Sequence, residues 1–212
     1  MIERVVDIRK GEGLKVVLAF SSLMLVVSAY TMVKAVRDAL FLSKFGVTQL
    51  SFIAIGLAVL IGLIISVYLR ATSGLQRNRL IWGTNLVIAT TLGLIWIGLR
   101  SPGLAQVLPW VLYIWSSIFG VFIVMQFWLM ASDLYDPREA KRLFGFVGSG
   151  AILGGILGGF ASRSLAGVLG TANLLLLSGG LLLIEAVLIS WLWVNLTRNS
   201  SLNISLRLSS RP

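Results

Sequence analysis

Residues 14–42, LKVVLAFSSLMLVVSAYTMVKAVRDALFL, form an apolar stretch that carries three ionisable side chains near its end. A membrane-spanning helix needs about 20 mostly apolar residues, so the stretch is long enough to cross a bilayer. Lys34, Arg37 and Asp38 lie in its last third. A charge near the bilayer centre costs about 3 kcal/mol, so such groups usually face protein or a water-filled cavity. The stretch therefore predicts a membrane helix that carries a functional polar face.

The rest of the chain repeats this apolar character. Of the 212 residues 57% are hydrophobic, far above the usual fraction for a soluble domain. We predict an all-α membrane protein whose transporter domain, 14–195, lies between a cytoplasmic segment, 1–13, and a polar cytoplasmic tail, 196–212. Six stretches are long enough to serve as spans one to six: 14–42, 48–69, 80–99, 104–132, 144–168 and 173–195.

Basic residues are concentrated in alternate loops. The chain has 18 basic and 8 acidic residues, and the six-span division puts thirteen basic residues on one side. Cytoplasmic loops carry such an excess, so both termini are predicted to be cytoplasmic in a multi-pass protein of the inner or plasma membrane. The membrane topology therefore explains the basic composition. We predict that the chain's partner is the lipid bilayer and that it does not bind nucleic acid. The five basic residues elsewhere are Lys34, Arg37, Lys44, Arg100 and Arg163.

Several kinds of chemistry are not expected. The first fifteen residues contain three acids and precede a run longer than the core of a signal peptide, so span one is predicted to be retained. The chain has no cysteine and no histidine. Disulfides, thiol chemistry and the usual zinc sites are therefore excluded. We predict no metal, no cofactor and no enzymatic activity.

The charged face of span one predicts an anion site. Spacings of three and four residues place Lys34, Arg37 and Asp38 on one side of a helix, with Tyr30 one turn earlier. Such a stripe would bind an anion and carry its own counter-ion in Asp38. The alternative is the outer end of a span, where long basic side chains reach the headgroups.

Span four is polar for a membrane helix. Pro109 predicts a kink, and Tyr113, Ser116 and Ser117 lie too deep to be explained as interfacial residues. We predict that Tyr113 and Ser116 face a substrate cavity, to which Arg163 of span five adds a cation. The alternative is that Ser116 and Ser117 are packing residues, since serine commonly serves this role between membrane helices.

Span five follows a strong helix start and is rich in glycine. The sequence DPRE at 136–139 is typical of a capping box with proline at the first helical position. Glycines then repeat every four residues in two series, which indicates a flat ridge for close packing or sliding. We predict a conformational hinge there, made by Gly150, Gly154, Gly155 and Gly158.

Span six contains a single carboxylate, Glu185, within LLLIEAVLIS. An ionisable residue in that setting is a functional candidate by default, as a proton carrier or a counter-ion. We predict that Glu185 and Asp38 serve as coupling groups. The alternative is a protonated or hydrogen-bonded packing residue that faces span two or four.

Two stretches resemble the ATP/ADP translocase family of bacteria and plastids, a distant relative of the major facilitator superfamily. They are YTMVKAVRDALFLSKFG at 30–46 and the run from Trp128 through ASDLYDPREAKRLFGFVGSGAILGG, which ends at residue 155. By this resemblance the chain corresponds to the N-terminal half of a carrier, a 3+3 inverted repeat of helices. Arg37 then occupies the position of a basic residue implicated in nucleotide exchange, with Asp38 beside it.

The chain departs from the family pattern in two respects. Exchanging members carry a glutamate in the outer half of span four, whereas Tyr113 to Ser117 contains no carboxylate. They also have about twelve spans, twice the number predicted here. Three explanations are open: a truncated or split gene product that lacks a C-terminal half, a half-transporter that forms a homodimer, or a bacterial relative of these carriers whose substrate is unsettled.

Three functions remain open at this point. The first is an ATP:ADP antiporter or a carrier of a related phosphorylated anion. The second is a proton-coupled carrier of another solute, in which Glu185 or Asp38 titrates. The third is a membrane module that anchors or assembles partners without transport.

Overall fold

The structure, a computed structural model, describes residues 12–45, 56–57, 60–66, 70, 77–104 and 106–209. Its long helices are α1 (Gly13–Leu42), α2 (Arg77–Gly98), α3 (Leu108–Leu134), α4 (Pro137–Leu169) and α5 (Leu174–Ser209). A single 3-10 turn, Thr171–Asn173, joins α4 to α5. The described residues contain no strand, so the prediction of an all-α protein is confirmed for them.

Within the described ranges, five helices are long and apolar enough to cross a membrane. They correspond to predicted spans one, three, four, five and six, in the order α1 to α5. The predicted second span, 48–69, lies largely outside the described residues. Apolar side chains such as Ile152, Ile156 and Phe160 project from α4 into the surroundings, as expected for a surface that meets lipid. The chain is therefore a multi-pass membrane protein.

One predicted helix start is confirmed, and two other predictions about the helices are wrong. The predicted capping box of Asp136 and Glu139 is confirmed: it starts α4 at Pro137, and the helix continues without a break into the predicted span. Pro109 lies in the first turn of α3, where its missing N–H is not needed, so the predicted kink is wrong. Helix α5 continues to Ser209, through the segment predicted as a polar tail, because no glycine or proline interrupts residues 181–211.

Helix α1 lies at the centre of the bundle and packs against α3, α4 and α5. Its buried apolar residues recur every three or four positions, as a helix surrounded by others requires. Helix α2 packs mainly against α5. The largest buried side chains of the core are Phe41, Phe119, Leu23, Met32 and Leu92.

Contacts at the helix ends define the relative directions. Phe41, at the end of α1, contacts Trp110 at the start of α3, so these two helices are antiparallel. Helix α4 runs parallel to α1, and α5 returns after a short turn. Trp96, near the end of α2, donates a hydrogen bond to Asn173, just before α5, so α2 is antiparallel to α5. Helices α1 and α2 are therefore parallel, and the chain between Leu42 and Arg77 joins opposite ends of the bundle.

Helices α1 and α4 pack so closely that their backbones are in contact. A methyl group at Gly150 would lie 2.6 Å from the carbonyl oxygen of Phe20, and one at Gly158 would lie 2.6 Å from that of Ser28. At Gly154 it would overlap the carbonyl oxygen of Met24. Small residues at four-residue spacing allow such contacts between membrane helices. The ridge of Gly150, Gly154 and Gly158 is therefore a packing surface for α1.

Candidate functional site

The best-supported site lies where the end of α1 meets α3. The Arg37 side chain is buried, and the residue is 8% exposed. Its Nε donates a hydrogen bond to Asp38 Oδ1 at 2.8 Å, and its Nη1 donates to Ser117 Oγ at 3.3 Å. The guanidinium carbon lies 4.4 Å from the centre of the Tyr113 ring, in a cation–π contact. We call Arg37, Asp38, Tyr113 and Ser117 the arginine site.

In α3, the arginine site includes the neighbour of one predicted serine. Ser117, not Ser116, contacts Arg37. Ser116 is fully buried, and its hydroxyl donates to the Tyr113 carbonyl of its own helix. Spacing on an isolated helix indicates a face but not which of two adjacent serines meets a side chain from another helix. The signal for Ser117 was only its position one turn after Tyr113.

Three other predicted site residues lie away from Arg37. Tyr30 lies seven residues before Arg37, which is about 10 Å away along the α1 axis at 1.5 Å per residue. Its ring packs on Gly120 and against Phe119. Lys34 and Arg163 are both exposed. No ion pair or hydrogen bond joins either of them to the arginine site in the described part of the chain. Of the three predicted cations, Lys34 and Arg37 of the stripe and Arg163 of span five, the structure buries only Arg37, with Asp38 as its partner.

An open groove lies near the arginine site, and none of the four residues of that site lines it. Its volume is about 710 Å³, and it is lined by Lys44, Phe45, Gln106, Val107 and Trp110. The Phe41 ring connects the two regions, since it contacts both Trp110 and Tyr113 with centroids 5.0 and 5.1 Å apart. The volume lies in the range of small-molecule sites, and the lining combines a cation, an amide and aromatic rings. Sequence spacing gave no indication of this groove, because its walls come from four residues outside the helices and from Trp110 of α3.

A second polar cluster lies inside the bundle around Glu185, which is 2% exposed. Ser22 Oγ of α1 donates to Glu185 Oε1 at 2.8 Å, and Asn85 Nδ2 of α2 donates to Glu185 Oε2 at 2.5 Å. Nearby, Gln126 of α3 donates to Thr84 Oγ1 at 2.7 Å. The carboxylate therefore hydrogen-bonds to predicted spans one and three, whereas the sequence suggested two or four. Span four only shares a small cavity with it.

The two predicted coupling carboxylates belong to different sites. Ser22, which contacts Glu185, and Arg37, which contacts Asp38, are fifteen residues apart on α1. At a rise of 1.5 Å per residue they are about 22 Å apart along the axis. A solute at the arginine site would therefore not contact Glu185, and any coupling between them would be transmitted through α1.

Ion pairs join α1 and α4 at the other end of the bundle. Lys15 Nζ lies 2.9 Å from Glu139 Oε2, and Arg142 Nη2 lies 2.7 Å from Glu12 Oε2. The Tyr135 hydroxyl donates to the Lys15 carbonyl at 3.2 Å. Burial, together with the nearby carboxylates of Glu139 and Glu12, raises the pKa of Tyr135 above its ordinary value. Tyr135 therefore stays neutral and holds the last turn of α3 against this pair of helices.

The predicted hinge glycines divide into two groups. Gly150, Gly154 and Gly158 are buried against α1, whereas Gly155 is half-buried and a methyl group there would meet no atom within 4 Å. Ser28 Oγ also donates to the Gly154 carbonyl at 2.9 Å, a cross-link between the two helices. The described contacts therefore favour a fixed pair of helices at the ridge.

Comparison with known proteins gave no relatives: no family model, no curated protein and no solved structure matches this chain.

Proposed function

We propose that this chain is a membrane carrier for a phosphorylated anion, with adenine nucleotides as the first candidates and Arg37 as the cation that binds them. The observation that carries the proposal is the buried guanidinium of Arg37 near an open groove. A buried cation in a membrane bundle is rare and usually marks a solute or ion pathway.

Arg37 has donors left for a ligand. A guanidinium has five N–H donors, and the described residues accept from two of them, through Asp38 and Ser117. The Asp38 side chain is 42% exposed and so can move aside into water. Phosphate oxygens would then accept two parallel hydrogen bonds in the geometry that arginine favours. Lys44 in the nearby groove adds a second positive charge on the solute's path.

The choice of nucleotides comes from the resemblance to ATP/ADP translocases in 30–46 and 128–155. The groove is compatible with that choice, because Trp110 offers an aromatic face on which a base can stack. The same proposal includes the exchange of ATP for ADP. It also includes the view that this chain is half of a larger carrier, which assembles as a homodimer or with a C-terminal half.

The proposal includes six spans. It is supported by the chain path, since α1 ends and α2 begins at opposite ends of the bundle and a further crossing between them would connect them. The stretch 48–69 is apolar over the necessary length. With 48–69 as the second span, α1, this stretch and α2 would form the first half of a 3+3 repeat.

Single cysteines test this topology without background, because the chain has no cysteine of its own. Ser43→Cys and Ser101→Cys are expected to react with a membrane-impermeant maleimide from outside the cell. Asn78→Cys and Asp133→Cys are expected to react only after the membrane is opened. Labelling of positions 43 and 78 from the same side would contradict six spans.

A second candidate function is favoured by Glu185. A carboxylate buried among Ser22 and Asn85 can couple solute movement to a cation, and the sequence suggests a proton. In that case the solute is taken up with the ion and not exchanged. An anchoring module, the third possibility, would show neither binding nor uptake.

Ligand-dependent thermal stability of the purified protein in detergent tests the proposed function. ATP and ADP are expected to raise the unfolding temperature, because a ligand present at 100 times its dissociation constant stabilises the folded state by about 2.7 kcal/mol. Inorganic phosphate should act at higher concentration and adenosine should not act, since the phosphate is the group that Arg37 binds. Equal stabilisation by adenosine and ATP would contradict an anion site.

A further inference from the structure

The Glu185 cluster has the composition of an ion site. Three oxygen-bearing side chains, Asn85, Gln126 and Glu185, line a cavity of about 10 Å³ together with Ile81, Ile123, Phe127 and Ile189. That volume is near the lower limit for one water molecule. The cavity can therefore accept a single small ion or a water molecule, and it excludes any organic solute.

The amide oxygen of Asn85 is a hydrogen-bond acceptor that no donor in the described ranges contacts. The residue is 1% exposed, and its Nδ2 is directed at Glu185, whereas its Oδ1 is buried and has no hydrogen-bond partner within the described ranges. A buried acceptor without a hydrogen-bond partner is unfavourable, because it has lost its contact with water and gained no other. A positively charged ion bound beside Asn85 Oδ1 would remove that cost.

The charge of the cluster leads to the same conclusion. Among the residues that the structure describes, Glu185 forms no ion pair, and its partners Ser22 and Asn85 are neutral. A carboxylate buried in a bundle without a compensating charge is strongly unfavourable. One carboxylate is balanced by one monovalent cation, whereas Ca²⁺ and Mg²⁺ sites normally require more oxygen ligands and more negative charge.

We propose that Glu185, Asn85 and Gln126 form a buried binding site for one Na⁺ ion, which links α2, α3 and α5 and, through Ser22, α1. Carboxylate and amide oxygens are the hard ligands that such an ion prefers. The site lies about 22 Å along α1 from the arginine site. Ion binding is measured without transport, so this proposal can succeed or fail independently of the carrier function.

The test compares the unfolding temperature of the purified protein in sodium, potassium and choline chloride at equal ionic strength and constant pH. We expect the unfolding temperature to rise with the logarithm of the Na⁺ concentration, with a much weaker response to K⁺ and none to choline. Tryptophan fluorescence provides the readout, and Trp82, which donates to Ser190 next to the cluster, is placed to report on it.

Glu185→Gln is the decisive variant, because it keeps the size of the side chain and removes its charge. It should lower the apparent Na⁺ affinity by at least about 100-fold, more than the loss seen on mutating groups that only orient a metal ligand. Ser178→Ala is the matched control, since Ser178 is equally buried in α5 but donates only to the Leu174 carbonyl of its own helix. This control should keep the full Na⁺ response.

A further variant keeps the test informative if Glu185→Gln does not fold. Asn85→Asp adds a second carboxylate to the same cavity and should produce a stabilising response to Ca²⁺ that the wild type lacks. Equal stability in all three salts, or a stability that varies with pH but not with Na⁺, would overturn the proposal. The second result would assign a proton to Glu185 instead.

Discussion

Gly154→Ala is expected to lower the unfolding free energy by about 1–3 kcal/mol, although it adds only one methyl group. The added Cβ would overlap the Met24 carbonyl of α1, which is backbone and cannot rotate away. The two helices would have to separate, and the 2.9 Å hydrogen bond from Ser28 to the Gly154 carbonyl would weaken. Gly154→Leu should prevent assembly of the pair. Denaturant titration of the purified protein in mixed micelles measures both effects.

Gly155→Ala is the matched control, one position along the same helix. A methyl group there meets no atom within 4 Å, so stability should stay the same or rise by up to about 1 kcal/mol through the better helix propensity of alanine. Equal destabilisation by the two substitutions would show that α1 does not pack along the ridge of Gly150, Gly154 and Gly158.

Arg37→Gln is expected to reduce nucleotide uptake into proteoliposomes by about 10- to 100-fold. A hydrogen bond to a charged group is worth about 1.5–3 kcal/mol, and each 1.4 kcal/mol is a factor of ten. Glutamine keeps a contact to Ser117 but removes the positive charge and the two-pronged donor geometry. Initial rates of labelled ATP uptake, normalised to the amount of folded protein, provide the measurement.

Two further variants separate charge from geometry. Arg100→Gln removes an exposed arginine at the same end of the bundle, where it stacks 3.8 Å from the Trp96 ring, and should leave uptake nearly unchanged. Arg37→Lys keeps the positive charge but loses the planar pair of donors of the guanidinium. Its ATP uptake rate should lie between those of the wild type and Arg37→Gln. If Arg100→Gln reduced uptake as much as Arg37→Gln, the effect would reflect the surface potential and not a binding site.

Sequence patterns were sufficient for the single elements of this fold. Long apolar runs predicted the helices, and the spacing of aspartate, proline and glutamate at 136–139 predicted the start of α4. The four-residue repeat of Gly150, Gly154 and Gly158 predicted a close helix contact. These features are local, because each is contained in one continuous stretch of the chain.

The arrangement of side chains between helices could not be predicted in the same way. Periodicity places Lys34 and Arg37 on one side of α1, but only α3 determines which of them is covered. The partners of Glu185, Ser22 and Asn85, are 163 and 100 residues distant along the chain. The length of α5 was missed for another reason, since polar residues end a hydrophobic run without ending a helix.

The carrier function is tested most directly by counterflow of nucleotides in proteoliposomes that contain only this chain. The vesicles are loaded with unlabelled ADP or with buffer, and uptake of labelled ATP is followed from outside. The account predicts that internal ADP accelerates ATP uptake and that Arg37→Gln removes the acceleration. Uptake that is absent from vesicles with folded, ADP-stabilised protein, or that is unaffected by internal ADP, would contradict nucleotide exchange by this chain.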